Sequence, residues 1–138
     1  MDNIEEIEEK IIEFKSGLPG FEEYKKFVII LNEDEENPFH KLQSLEETEI
    51  SFIIINPFIF KQDYDFKLLE DTVEKLEIKD SKDVVVYTIV TIPEDYTKMT
   101  ANLLGPIIIN TKNNQAKQIV LNDTEYTTKH YILEESRV

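Results

Sequence analysis

Residues 84–92 read Val-Val-Val-Tyr-Thr-Ile-Val-Thr-Ile and stop at Pro93. No other stretch constrains the fold as strongly. β-Branched side chains are stiff at χ1 and pack well on a pleated surface, so the run predicts a strand. It carries no charge on either alternate set of positions, which places it centrally in a sheet, and the proline cannot extend the ladder. Shorter apolar runs at 27–31 and 51–55, the second closed by Asn56-Pro57, predict two further buried strands. Residues 107–109, Ile-Ile-Ile, predict another, joined through a polar turn at 112–114 to residues 118–121 as a hairpin.

Turn chemistry separates these runs. Gly17-Leu18-Pro19-Gly20 combines a fixed φ with two residues free to take positive φ, a tight turn between strands. Within residues 100–110, Thr-Ala-Asn-Leu-Leu-Gly-Pro-Ile-Ile-Ile-Asn, Gly105 is able to take positive φ and Pro106 lacks an N–H. That stretch reads as a sharply turning loop feeding the 107–109 strand, with an amide near each end. Phe66, Leu69, Val73 and Leu76 recur at three- and four-residue steps and predict the one main helix, about 66–77. Asp63 or Asp65 would cap it, and Asp71 and Lys75 would pair on its exposed side. Residues 1–10 are ambiguous: Ile4, Ile7 and Ile11 fit a helix, whereas Ile12, Phe14 and Leu18 fit an extended segment leading into the turn. The expected fold is α+β, mostly β: a small, partly closed antiparallel barrel formed by residues 1–138 as a single domain.

Charge is the strongest bulk signal. Fifteen basic residues against 29 acidic ones give −14 at pH 7, with acids blocked at 5–9, 33–36 and 46–49. Such a chain repels phosphate backbones, which argues against direct nucleic-acid binding. The blocks suit either a solvated surface or one that complements a basic partner. With 41% hydrophobic residues and no cysteine, the chain has enough apolar content for a core and no disulfide framework. No signal peptide or membrane-spanning run is visible, so the expectation is a cytoplasmic protein, monomeric alone and without membrane contact.

Catalytic constellations are missing from the pattern. His40 and His130 are 90 positions apart, and no HExxH spacing or cysteine accompanies them, so no metal or cofactor is expected. Asp63-Tyr64-Asp65 opens like a calcium loop but lacks the sixth-position glycine. No nucleophile elbow occurs, and three glycines cannot build a phosphate cradle. His130, with Tyr126 and Lys129, would serve either a partner or an internal hydrogen bond. Phe58 and Phe60 beside Pro57 would be core, or one of them an exposed anchor.

The ordered blocks Gly17-Leu18-Pro19-Gly20-Phe21-Glu22, Pro38-Phe39, Leu42-Gln43-Ser44, Ile89-Val90-Thr91-Ile92-Pro93, the 100–110 run, Gln118-Ile119-Val120-Leu121, Tyr126 and His130 resemble the flagellar assembly factor FliW family over roughly residues 11–131. The resemblance implies a β-barrel, a strand in the ambiguous first residues, and a start later than in most relatives. It also implies a non-catalytic protein with two partners: flagellin held before export, and CsrA, an RNA-binding repressor of flagellin translation. Flagellin leaving by export would free the protein to antagonise CsrA. Partner-binding candidates under this reading are Leu18, Phe21, Phe58, Phe60, Ala101, Asn102, Leu103 and Pro106. The family pattern has arginine where Lys129 stands, and lysine lacks the planar fork that grips a carboxylate at two points. The competing reading is a small β-barrel module for a small molecule or carbohydrate, with or without hydrolase activity. It would require an enclosed, polar-lined pocket with convergent carboxylates or histidine.

Overall fold

The computed structural model describes residues 11–122 and 124–133. The ambiguous residues 1–10 lie outside them. Strands β1 (Ile11–Glu13), β2 (Lys26–Ile30), β3 (His40–Ser44) and β4 (Ser51–Ile55) form an antiparallel meander. β5 (Val84–Thr91) pairs with β4, then with β7 (Ile107–Asn110), which pairs with β8 (Gln115–Gln118). β8 meets β1 in parallel through the single pair Glu13↔Gln115, closing a ring of seven strands. Two hydrogen bonds hold this seam: Glu13 N–H to the Asn114 carbonyl at 2.9 Å, and Gln115 Nε2 to Glu13 Oε1 at 3.0 Å. The short strands β6 (Thr100–Ala101) and β9 (His130–Tyr131) continue outward from the end of β5. The expected small, mostly β barrel with one helix is therefore observed, and its ring is closed.

Alternation decides what lies inside. Ile12, Phe27, Leu42, Ile54, Ile107, Ile109 and Ala116 point into the barrel, joined by Phe14 and Leu18 from the adjoining turn. Phe27 is fully buried and meets Phe14 edge-on at 5.4 Å. The intervening residues of β4 and β5 point outward but are covered too. Ile55 and Val90 pack with Met99, while Val86 packs with Tyr64, Leu103 and Leu121. Both faces of β5 thus leave water, which is why its sequence is a continuous β-branched run.

The 17–20 turn forms as expected, with φ +71° at Gly17 and +85° at Gly20. A Cβ on Gly17 would sit 2.5 Å from the Glu22 backbone, so only glycine fits. Three expectations need correction. The hairpin partner of β7 starts three residues earlier than residue 118: Asn114, at φ +57°, completes the turn and Gln115 re-enters the sheet at once. Residues 119–121 instead leave the sheet, and the Leu121 N–H reaches the Leu104 carbonyl at 2.9 Å. The helix, α1 (Glu70–Lys75), has half the expected length. Leu69 is its N-cap, has no capping side chain and is 64% exposed, so the apolar spacing from Phe66 was not one buried stripe. Asp63 instead bonds Lys61, and the Asp65 N–H reaches the Tyr126 hydroxyl. The Asp71–Lys75 pair does form, at 3.2 Å. At the C-terminus Glu77 takes the left-handed conformation usually given to glycine, φ +54°, and the Ile78 N–H closes onto the Val73 carbonyl at 2.9 Å. Finally, Gly105 has no positive φ; its lack of a side chain provides space, since a Cβ would lie 3.0 Å from Asn102 Nδ2 and 3.1 Å from Gln118 Nε2.

Candidate functional site

The 28 residues between β4 and β5 make a long excursion over the outside of the barrel. It begins with a tight turn at Pro57–Ile59, capped by Asn56 Oδ1 accepting from the Phe58 N–H at 2.9 Å. Because this turn is 3₁₀-like rather than extended, Phe58 and Phe60 diverge. Phe58 is 40% exposed and rests against Tyr64 at 5.7 Å. Phe60 is half-buried and stacks on His130 at 5.9 Å. Ile59 beside them is 56% exposed.

Tyr64 anchors the excursion. Its buried hydroxyl donates to the Leu103 carbonyl at 2.6 Å, and burial pushes that hydroxyl well above the ordinary phenol range. Its ring also meets Phe66 at 5.3 Å and Tyr126 at 4.7 Å. Further along, Asn110 on β7 is buried; its Nδ2 donates to the Leu76 carbonyl at 2.8 Å and the Glu77 carbonyl at 3.2 Å, holding the end of α1. Between excursion and barrel lies a groove of about 630 Å³, lined by Phe58, Tyr64, Phe66, Leu68, Val73 and Ile78, with Val84, Val86 and Ile108 as floor. A second cavity of about 500 Å³ opens at a barrel mouth between Ile29, Leu31, Val85 and Tyr87. Neither cavity gathers carboxylates around a histidine. Among the described residues, no three His, Cys, Asp or Glu side chains are placed to hold a metal ion.

At the other end of β4 the surface is acidic. Phe21, 37% exposed, packs edge-on against Phe52 at 5.3 Å. Around it the chain carries Glu22, Glu23, Glu46 and Glu47. Glu46 Oε1 accepts from the Lys26 N–H at 3.0 Å and the Lys25 N–H at 2.5 Å, which holds its carboxyl below the usual range and ties the 45–50 turn to β2. Hydrogen bonds from the N–H groups of Glu22 itself and of Gly20 lower the Glu22 carboxyl likewise.

The FliW protein family model matches residues 1–132. The flagellar assembly factor FliW of Bacillus subtilis is 54% identical over 130 residues, covering 94% of this chain and 90% of its own length. That of Alkaliphilus metalliredigens is 52% identical over 132 residues, covering 96% and 82%. The chain belongs to the FliW family. A crystal structure of the flagellar assembly factor FliW superposes with a TM-score of 0.85 at 38% identity, covering 91% of this chain and 86% of that one. FliW proteins are flagellar assembly factors and do not form a known enzyme family. Among the described residues no helix is long and apolar enough to cross a membrane.

Within this FliW fold the eight sequence candidates do not form one surface. Leu18, Ala101, Leu103 and Pro106 are buried, and their side chains pack against the protein itself. Asn102 is partly buried and its Oδ1 accepts from the N–H groups of Leu104 and Gly105, fixing the loop from within. Phe60 is the half-buried wedge under His130. Phe21 and Phe58 remain exposed, at opposite ends of β4. His130 itself pairs Ala101 across β6–β9. Sequence reasoning missed Asn110 and the groove; the amide ending an apolar run was the sole local signal for Asn110.

Proposed function

We propose that this chain is a non-catalytic, cytoplasmic FliW protein that holds flagellin before export and, once freed, antagonises CsrA so that flagellin is translated. The carrying observation is the division of its surface. Exposed Phe58 and Ile59 stand at one end of β4, while Glu22, Glu23, Glu46 and Glu47 flank exposed Phe21 at the other. Family membership supplies the biological setting, since its relatives are named flagellar assembly factors. The apolar patch suits flagellin, whose terminal amphipathic segments offer an apolar stripe. The acidic end suits a basic RNA-binding protein. Placed near the repressor's RNA-binding surface, the −14 chain raises the electrostatic cost of phosphate approach without filling the RNA site.

This reading expects inhibition of RNA binding by CsrA to be non-competitive or mixed. The inhibition factor should shrink with salt, because the Debye length falls from about 10 Å at 0.1 M to about 3 Å at 1 M. The test is an RNA titration at fixed CsrA, repeated at two salt levels. RNA binding weakens with salt on its own, so the factor rather than the raw affinity is compared. Purely competitive, salt-independent inhibition would remove the electrostatic mechanism; failure to bind CsrA would remove the partner.

A further inference from the structure

We propose that the first half of β5, residues 84–87, accepts an added β-strand: an extended segment of another protein, uncharged and β-branched over about four residues and flanked by basic ones. The inference stands apart from the two partners named above and does not depend on either.

The backbone provides the first argument. β4 pairs β5 only at Thr88, Ile89 and Val90, and the chain then turns away at Asn56 and Pro57. Thr88 ends that contact, its hydroxyl donating to the Ile55 carbonyl at 3.2 Å. Residues 84–87 pair with β7 on one side, and among the described residues no strand meets the other. Backbone groups point to alternate sides along a strand. Val90 lies between Ile53 of β4 and Ala101 of β6, so β4 and β6 flank β5 on opposite sides. The Ile89 carbonyl accepts from the Asn102 N–H at 2.9 Å, on the β6 side. By alternation Val85 and Tyr87 direct their groups to that same side, where β7 pairs them, and Val86 directs its N–H and C=O to the open edge. The neighbouring Val84 N–H is already taken by the Ser81 carbonyl.

Burial provides the second. Val84, Val85, Val86 and Tyr87 are only half-buried, whereas Thr88 and Val90, beside β4, are buried. A cavity lies on each face of this stretch. Val84 and Val86 line the outer groove of about 630 Å³ with Phe58 and Phe66; Val85 and Tyr87 line the barrel mouth of about 500 Å³ with Ile29 and Leu31. Successive side chains of a strand laid on the open edge would enter the two cavities in turn, while its main chain bonded Val86. A helix or a small molecule fills one cavity and leaves that edge unpaired.

Charge selects the flanks. Leu31 at the mouth leads through Asn32 into exposed Glu33, Asp34, Glu35 and Glu36. The outer groove is balanced, with Lys67 and Lys79 against Asp65 and Asp80. On a chain of net −14, basic residues beside the added strand are therefore drawn to the mouth.

The probe is the synthetic peptide acetyl-Lys-Lys-Val-Ile-Val-Val-Lys-Lys-amide, titrated into the full-length protein while amide exchange is read residue by residue by NMR. The free Val86 N–H should exchange faster than those of Val85 and Tyr87, and peptide should slow it about tenfold. The same peptide N-methylated at its apolar residues cannot donate to the edge and should bind about tenfold more weakly. Leu31→Gln and Phe58→Gln, exposed positions on the two faces, should each weaken binding severalfold with the circular dichroism unchanged. Replacing the peptide's lysines by glutamates should weaken binding at 0.1 M salt and less so at 1 M. Binding that leaves Val86 unprotected, or undiminished binding of the N-methylated peptide, overturns the added strand in favour of an occupant held by side chains alone. Absence of saturable binding overturns it outright. Equal affinity of the glutamate-flanked peptide overturns the basic flanks. Protection of Val86 by self-association without peptide would assign the edge to a second copy and likewise overturn the proposal.

Discussion

The inside and the outside of this barrel are both apolar, and they are held together by different means. Inside, Phe14, Phe27, Leu42, Ile54 and Ile107 fill the space by packing. Outside, irregular chain is fastened to the strands by side chains reaching backbone: Tyr64 to Leu103, Asn110 to Leu76 and Glu77, and Tyr126 to Asp65. A packed interior resists any local change, because every atom removed leaves a void. Tethered cladding releases piece by piece, because each segment depends on a few bonds.

The largest effect is expected inside. Phe27→Ala should destabilise the protein by ~3–5 kcal/mol, a large share of the ~5–15 kcal/mol typical of whole domains. Urea denaturation followed by circular dichroism measures it; a loss under 1 kcal/mol would mean that the interior is not the cooperative unit. Next comes the cladding. Asn110→Ala removes both donors to the end of α1 and the acceptor of the Lys112 N–H, at ~1–3 kcal/mol. Hydrogen exchange should speed up across 70–80 while β2, β3 and β4 stay protected. Uniform acceleration would erase the contrast between the two regions.

The smallest effect is a pH dependence at the barrel's edge. Burial holds the His40 imidazole below its ordinary value near 6.5, and its neutral Nδ1 accepts from the Asn32 N–H at 3.2 Å. In the unfolded chain His40 takes up its proton first, so stability is complete above about pH 6.5 and falls as pH drops toward the folded value. Protonation also turns the acceptor into a donor and releases Asn32, which leads into the acidic 33–36 block. The carboxylates lowered by hydrogen bonds, Glu22 and Glu46, lose their contribution only below the ordinary carboxylate value of 4.5. His40→Gln keeps an acceptor without the titration and should flatten the profile between pH 6.5 and 5; an unchanged profile assigns the slope to other groups.

Most of the barrel was legible because its physics is local. The 84–91 run announces a strand buried on both faces, and Gly17 with Gly20 announces the turn. The helix was overread because apolar spacing records which residues are apolar, not what covers them: Phe66 packs on Tyr64, and Leu69 faces water. The exposure of several candidate site residues was overread in the same way. Ala101 on β6 and Leu103 in the loop after it belong to a stretch that reads as a surface feature but is covered by later chain: the Leu103 N–H meets the Thr127 carbonyl, and Ala101 pairs with His130. The groove had no sequence signature, since its two walls come from residues 58–68 and 73–78 and its floor from 84–108.

The seam between Glu13 and Gln115 has a temporal consequence. A ring whose first and last staves touch cannot be completed while the chain is still being made; residue 13 waits on the ribosome's surface until residue 115 has emerged. At typical synthesis speeds of ~5–20 residues per second, that leaves the meander of β1 to β4 open-edged for several seconds. Until β8 has emerged, the outer edge of β1 has no strand partner in this ring and stays open to pairing with other chains.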